Sequence, residues 1–163
     1  MDIAGYTQYT INKNGEIYSK KKKKNMKQWL DRYGYYMTGL TINKKQKHLL
    51  VHRLIYQAFI LKNSEIMPEF IDHKNGIRTD NSLDNLRCCT KQENGRNRGK
   101  TREDNIIGHK NIRKKENNAF QVVIILGLGR KTYYKTFKTL EEAIADRDIK
   151  LTELHGEFAN NGS

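Results

Sequence analysis

Cysteine is nearly absent from the 163 residues: Cys88 and Cys89 are the only two, and they are adjacent. Neighbouring side chains of a strand point to opposite faces, so one thiol is expected in the core and the other half exposed. Adjacent cysteines do not supply the C-x-x-C pairs or loop-spaced histidine partners of a zinc site, so no structural zinc is expected. Long apolar runs are missing as well. No stretch approaches the length of a membrane span, and Met1-Asp2-Ile3-Ala4-Gly5 is not a secretory signal, which leads us to expect a soluble, intracellular protein without a membrane partner. Hydrophobic residues make up only 36% of the chain, too little for one large core, so several small modules are the expected organisation. Acidic residues are few: 18 Asp and Glu stand against 31 Lys and Arg, a net charge of +13. That excess points to a polyanion, nucleic acid before an acidic membrane surface.

What is present is concentrated in residues 71–98. Phe70-Ile71 approaches an acid and a histidine, Asp72 and His73, and Lys74-Asn75-Gly76 carries the Asn-Gly pair that favours a reversal. The turn-rich Thr79-Asp80-Asn81-Ser82 follows, then Leu83 to Cys89 as a returning strand. Thr90 with Glu93 three residues later is a capping-box pattern, so a helix should open near Lys91 and carry Asn94 in its first turns. Strand, loop, strand and helix thereby bring together a carboxylate, an imidazole and an amide. Phosphodiester hydrolysis needs an activated water and a partner for the charge on the leaving oxygen. An imidazole suits the base. The Asp72 carboxylate and the Asn94 amide oxygen are hard ligands suited to Mg2+ (or Mn2+), which keeps several waters and takes substrate phosphate. Asn85 fits a role in bracing the loop and orienting His73.

This pattern resembles the HNH nucleases, most closely the phage and intron-type homing endonucleases. His73 matches the first His of the motif, Asn85 the middle Asn, Asn94 the third position (usually His), and Asp72 the acid before the first His. The resemblance implies a ββα-metal unit with catalytic His73, Asp72, Asn94 and Asn85, in which Asp72 and Asn94 hold one metal ion per active site.

The flanks fit a DNA-bound protein. Residues 1–50 hold eleven Lys or Arg against three acids. Tyr9 to Asn12 and Glu16 to Ser19 flank a Lys13-Asn14-Gly15 turn, a hairpin signal, and Tyr35 to Ile42 and His48 to Val51 read as a second strand pair around Asn43-Lys44-Lys45. This start resembles the small β module that often precedes HNH units. Lys20, Lys21, Lys22, Lys23 and Lys24 lie between strands and are candidates for phosphate contact. Trp29 is expected to fill a small core. In 51–60, Val51, Leu54, Ile55, Ala58 and Phe59 share one helical face, with His52 structural, and Lys62-Asn63-Ser64 ends the helix before Pro68. Arg96 and Arg98, beyond Asn94, are further phosphate candidates.

Past a boundary expected near residue 104, three strands (Lys110 to Glu116, Ala119 to Leu126, Lys131 to Phe137) precede a helix capped by Thr139 and Glu142, running to His155 and stopped by Gly156. Its apolar face, Leu140, Ile144, Leu151 and Leu154, is interrupted at Arg147. Residues 105–139 hold eight basic residues and one acid, whereas 140–163 hold two basic residues and six acids, so the sheet rather than the helix suits DNA. Residues 108–160 resemble an AP2 DNA-binding domain, through Gly108, the Phe120-Gln-Val-Val-Ile strand (Phe where that family usually has Trp), Lys135-Thr-Phe-Lys-Thr-Leu-Glu-Glu-Ala, and His155-Gly-Glu-Phe-Ala-Asn. By that resemblance Arg113, Lys115, Gln121, Lys131, Tyr134 and Lys135 contact the major groove.

The expected architecture is therefore α+β: a β module (1–50), an HNH unit (51–104) and an AP2-like domain (105–163). The expected function is a site-specific, metal-dependent DNA endonuclease. It would act on double-stranded DNA as a monomer, nicking one strand, in the cytoplasm of a phage-infected or host bacterial cell, and a homing role fits the family. A DNA-binding regulator with an inactive HNH fold is the main alternative, and an RNA-directed protein a second.

Overall fold

The computed structural model describes residues 1–63, 66–97, 105–126, 132–160 and 162. It is a mixed α/β protein of two compact units, Met1–Thr90 and Lys91–Ser163. The expected boundary near residue 104 lies outside the described residues. The helix carrying Asn94 is grouped with the C-terminal unit.

The first unit begins with a four-stranded antiparallel sheet of sequential strands: β1 (Asp2–Ile3), β2 (Tyr6–Ile11), β3 (Ile17–Ser19) and β4 (Lys24–Asn25). The expected hairpin at residues 13–15 joins β2 to β3, and Gly15 takes φ +83° there. A Cβ on Gly15 would lie 3.0 Å from Ile55 Cδ1 and 3.2 Å from Val51 Cγ1, so this turn is packed directly on the following helix. A second antiparallel sheet holds β5 (Gln28–Leu30), β6 (Tyr36–Ile42) and β7 (Lys45–Leu50). Asn43 and Lys44 both adopt positive φ in the two-residue turn between β6 and β7, as a tight hairpin of matching twist requires. The short strands β1, β4 and β5 escape sequence reading because two or three residues show no alternation. Trp29, on β5, is half-buried and packs edge-on against His48 at 5.1 Å.

Helix α1 (Val51–Ile55) continues as a π-helical turn through Ile60. Val51, Leu54, Ile55 and Ala58 are buried together with Ile3, Ile11, Ile17 and Leu40, so α1 is what the sheets close upon. Lys62 and Asn63 end it with φ of 48° and 59°; Ser64 lies outside the described residues. The Arg53 guanidinium donates to the carbonyls of Pro68 (3.0 Å) and Glu69 (3.1 Å), fastening the approach to β8 (Phe70–His73) onto α1. Among the described residues, strand β8 pairs only with β9 (Leu86–Cys89). The returning strand is shorter than expected. Residues 83–85 form a 3-10 turn because Asn85 N–H bonds back to the Ser82 carbonyl instead of across the ladder. Neither cysteine is a core residue: Cys88 is exposed and Cys89 half-buried.

The second unit contains α2 (Lys91–Arg96), the antiparallel sheet β10 (Ile112–Lys114), β11 (Phe120–Ile125) and β12 (Thr132–Phe137), and α3 (Leu140–His155). The strands occur where expected, trimmed at their ends. Asn118 supplies the positive φ of the β10–β11 turn, whereas residues 127–129 of the next connection lie outside the described residues. Val122, Ile124, Ile112, Ala143 and Leu151 form the core, with Phe120 packed against it. Arg147, the break in the apolar stripe, is itself buried and donates Nη1 to the Lys110 carbonyl at 3.0 Å. The Thr139–Glu142 capping box is formed, with Thr139 Oγ1 accepting from the Glu142 N–H and the Glu142 carboxylate accepting from the Thr139 N–H. Gly156 stops the helix at φ 51°. Among the described residues no helix is long and apolar enough to cross a membrane. Thr139→Ala should lower the stability of the second unit by about 1 kcal/mol, measured as a shift in its urea unfolding curve.

Candidate active site

Antiparallel register sets Asp72 directly opposite Arg87 and His73 opposite Leu86. Arg87 donates from Nε (2.9 Å) and Nη2 (2.8 Å), both to Asp72 Oδ2. Both side chains are more than nine-tenths buried, at 9% and 7% exposure. A charge withdrawn from water this far must be paired, and a guanidinium does so with directional bonds that also fix the carboxylate's orientation.

The loop between the strands is held by amides. Asn85 Oδ1 accepts from the Asn75 N–H (3.0 Å), and its Nδ2 donates to the Asp80 carbonyl (2.7 Å). Asn85 thus ties both sides of the loop together, next to the Lys74 N–H, which donates to the Asn85 carbonyl at 2.8 Å. Asp80 accepts from Ser82 and from Asn75 Nδ2, and the Ser82 hydroxyl, the Ser82 N–H and the Asn75 amide hold its carboxyl below the usual range. His73 closes the strand, 4% exposed, with Nε2 3.1 Å from Asn81 Oδ1. An amide oxygen only accepts, so the tautomer that satisfies this contact is the one with the proton on Nε2.

Two rings wall His73. Tyr35 lies 5.8 Å and His52 5.2 Å from it, centroid to centroid, and they are 5.2 Å from each other. Tyr35 is placed by a turn in which Asp31 Oδ1 accepts from the N–H groups of Tyr33 and Tyr35. Arg78, reaching out of the loop, lies over the Tyr35 ring at 5.2 Å and donates Nη1 to the Tyr33 carbonyl. Burial first, then the charges of His73 and Arg53, push the His52 imidazole down to about 3, against a smaller opposing effect of Asp31. His52 is therefore neutral at physiological pH and fills space beside His73.

The remaining sequence candidates are distributed as follows. Asn94 is half-buried on α2 of the second unit. Arg96 ends that helix; Arg98 and Lys131 lie outside the described residues. Lys20 through Lys24 are all exposed around the β3–β4 turn, where Lys20 pairs with Asp2 at 2.7 Å. In the C-terminal sheet, Gln121 is buried, its Oε1 accepting from Arg113 Nε (2.9 Å) and Nη2 (2.7 Å). Register puts Arg113, Gln121 and Tyr134, which is 70% exposed, on the face away from α3, with Lys115 exposed in the turn beyond β10. Lys135 does not share that face. Its neighbours in the ladder point toward α3, and its Nζ lies 3.1 Å from Asp146.

Sequence reading missed Arg87, Asn81, Arg78 and Tyr35. For Arg87 a signal existed: a hairpin that begins its return at Leu86 places it opposite Asp72. For the other three, the contacts depend on loop geometry that spacing does not encode. As for metals, no group of three or more His, Cys, Asp or Glu is clustered to hold one among the described residues. The Asp72 carboxylate, held rigidly by Arg87, is a hard oxygen donor of the kind that suits an ion completed by water and phosphate and not one that needs thiolates.

Comparison with known proteins agrees with this chemistry. The HNH endonuclease family profile matches residues 49–96, which span α1, the β8–β9 hairpin and α2. The chain is 32% identical over 154 residues to DNA endonuclease I-HmuI of Bacillus phage SP01, covering 94% of this chain and 87% of that protein. It is 35% identical to H-N-H endonuclease F-TflI of Escherichia phage T5, covering 60% of this chain and 48% of the relative. It is 31% identical to an uncharacterized HNH endonuclease of Acanthamoeba polyphaga mimivirus, covering 58% of this chain and 28% of the relative. The solved structure of I-HmuI, described as showing DNA binding and cleavage by that HNH homing endonuclease, superposes with a TM-score of 0.55 at 27% identity, over 95% of this chain and 90% of that one. The chain belongs to the HNH endonuclease family. It is an enzyme that hydrolyses phosphodiester bonds of DNA, a reaction for which HNH nucleases use a divalent metal ion.

Arg87→Met should cost about 3–5 kcal/mol by stranding the Asp72 carboxylate, whereas Arg87→Met with Asp72→Leu should recover most of that loss; urea unfolding of the three proteins measures both. The second expectation concerns pH. The folded value of His52 lies below its ordinary 6.5, so its contribution to stability is fully present above 6.5 and is lost as pH falls from 6.5 toward 3. Between pH 7 and pH 5 wild type should lose about 2 kcal/mol more than His52→Phe, at about 1.4 kcal/mol per pH unit below 6.5, read from urea unfolding at the two pH values.

Proposed function

We propose that the protein is a site-specific homing endonuclease that nicks double-stranded DNA, with His73 as general base and Asp72 and Asn94 as ligands of one Mg2+ (or Mn2+) ion. The observation that carries this reading is the buried His73 beside a carboxylate locked by Arg87, in a loop braced by Asn85. His73 takes the proton of the attacking water at Nδ1, while its Nε2–H stays bonded to Asn81 and holds the ring in place. The bound ion supplies charge stabilisation at the scissile phosphate and the leaving oxygen. Asn85 keeps the loop from collapsing on the imidazole.

The basic flanks supply the grip. Lys20 to Lys24, Arg96 and Arg98 contact phosphates, which gives affinity without sequence choice. The C-terminal module, read as AP2-like, lays its open sheet face in the major groove, with Arg113, Lys115, Gln121, Lys131, Tyr134 and Lys135 as the candidate contacts. Of these, Gln121 acts through Arg113, whose guanidinium it orients, and Lys135 reaches DNA only from the sheet edge. The three modules, 1–50, 51–104 and 105–163, thus divide grip, chemistry and sequence choice. One site per monomer cuts one strand per binding event, in the cytoplasm of the infected or host cell.

Cleavage of supercoiled plasmids carrying phage and host genomic inserts tests this. With Mg2+, wild type should convert supercoiled to open-circular DNA at a single site, and His73→Ala and Asn94→Ala should be slower by at least about 100-fold. A wild-type protein that binds these plasmids yet never cuts them with Mg2+ or Mn2+ would instead be a DNA-binding regulator.

A further inference from the structure

Helix α2, which bears Asn94, has little of its own to hold it in place. It is six residues long, contains Gly95, and buries no side chain. Isolated helices below about 12–15 residues are marginal in water, and an interior glycine costs about 1 kcal/mol more. Its C-terminal end is held within the second unit. Lys110 Nζ donates to the Arg96 carbonyl at 2.8 Å and to the Asn160 carbonyl at 3.0 Å. Asn160 Nδ2 donates to the Asn97 carbonyl at 2.9 Å and to Asn97 Oδ1 at 3.1 Å. Asn97 is buried, and its N–H continues the helix by donating to the Glu93 carbonyl. The clamp is in turn anchored: buried Arg147 of α3 donates to the Lys110 carbonyl, and Asn160 Oδ1 accepts from the Gly162 N–H. A cation on the last helical carbonyl both satisfies an orphan acceptor and complements the helix dipole.

We infer that Lys110 and Asn160 are positioning residues for Asn94: they fix the last turn of α2, and thereby the metal-ligand amide two residues before Arg96, from a part of the chain that lies beyond the nuclease motif. The inference rests on the reading of Asn94 as a ligand. Burial, with the nearby Arg147 charge, lowers the Lys110 ammonium from its ordinary value, as expected of a cation used inside a clamp instead of at the surface. An error of about 1 Å at a reacting group costs on the order of 100-fold in rate, so slack in this clamp should be visible in turnover.

The test compares wild type, Asn94→Ala, Asn160→Ala, Lys110→Met and Lys110→Arg, each as full-length protein. Three quantities are measured: duplex affinity, single-turnover cleavage against Mg2+ concentration, and Mn2+ binding to the protein–DNA complex by electron paramagnetic resonance. Asn160→Ala and Lys110→Met should keep duplex affinity within about threefold of wild type. Both should lose at least about tenfold in maximal rate and need several-fold more Mg2+ and Mn2+ for half-saturation, in the direction of Asn94→Ala. Lys110→Arg, which can still donate to both carbonyls, should restore most of the loss. Wild-type rates and metal midpoints in Asn160→Ala and Lys110→Met, with only a lower melting temperature, would overturn the inference while leaving Asn94 a ligand. A wild-type metal midpoint in Asn94→Ala would overturn the reading of Asn94 itself, and the inference with it.

Discussion

The candidate active site depends on one buried ion pair in a very small sheet. A two-stranded hairpin is marginal on its own, and β8–β9 has four residues per strand. Direct opposition of Asp72 and Arg87 makes the pair part of the ladder, so any slip in register would separate two charges that are out of water. The pair therefore specifies the register that leaves His73 at the end of β8. Its cost is offset by packing: Ile71 and Leu86 join the core built on α1, and Arg53 ties the approach segment to the same helix.

From that hairpin outward, polar groups are used for orientation more than for stability. Asn85, Asn75 and Asp80 form a connected set of side-chain and backbone bonds, and Asn81, next to Asp80 in the chain, reaches the His73 ring. The rings of Tyr35 and His52 fill the other side. A loop of this composition would be mobile if its amides faced water. Here they close on one another, which is how the connection from Lys74 to Asn85 can present an imidazole in one orientation.

The motif was legible in the sequence because its chemistry is carried by residue types at fixed spacing. Asp72, His73, Asn85 and the helix start at Lys91 fall where spacing and capping place them. The C-terminal strands and α3 were legible for a similar reason, since alternation, Asn turns, the Thr139–Glu142 box and Gly156 agree with one another. What was not legible depended on partners distant in sequence. Arg147 reads as a flaw in an apolar stripe until the Lys110 carbonyl is found against it. Gln121 and Lys135 look alike as polar sheet residues, yet register sends one to the open face and the other toward α3. Leu83 reads as strand, although the Ser82 carbonyl captures the Asn85 N–H and winds it into a 3-10 turn. Strand alternation assigned one of the adjacent cysteines to the core, whereas Cys88 is exposed and Cys89 half-buried.

The most direct test of the account is the position of the metal. A crystal of the protein with its duplex substrate and Mn2+, under conditions that slow cleavage, should show a single anomalous peak at each active site. It should be bounded by the Asp72 carboxylate and the Asn94 amide oxygen, with the His73 imidazole facing the scissile phosphate from the other side. A peak elsewhere, or duplex DNA bound away from His73 with no metal, would contradict the assignment of this hairpin as the centre of the chemistry.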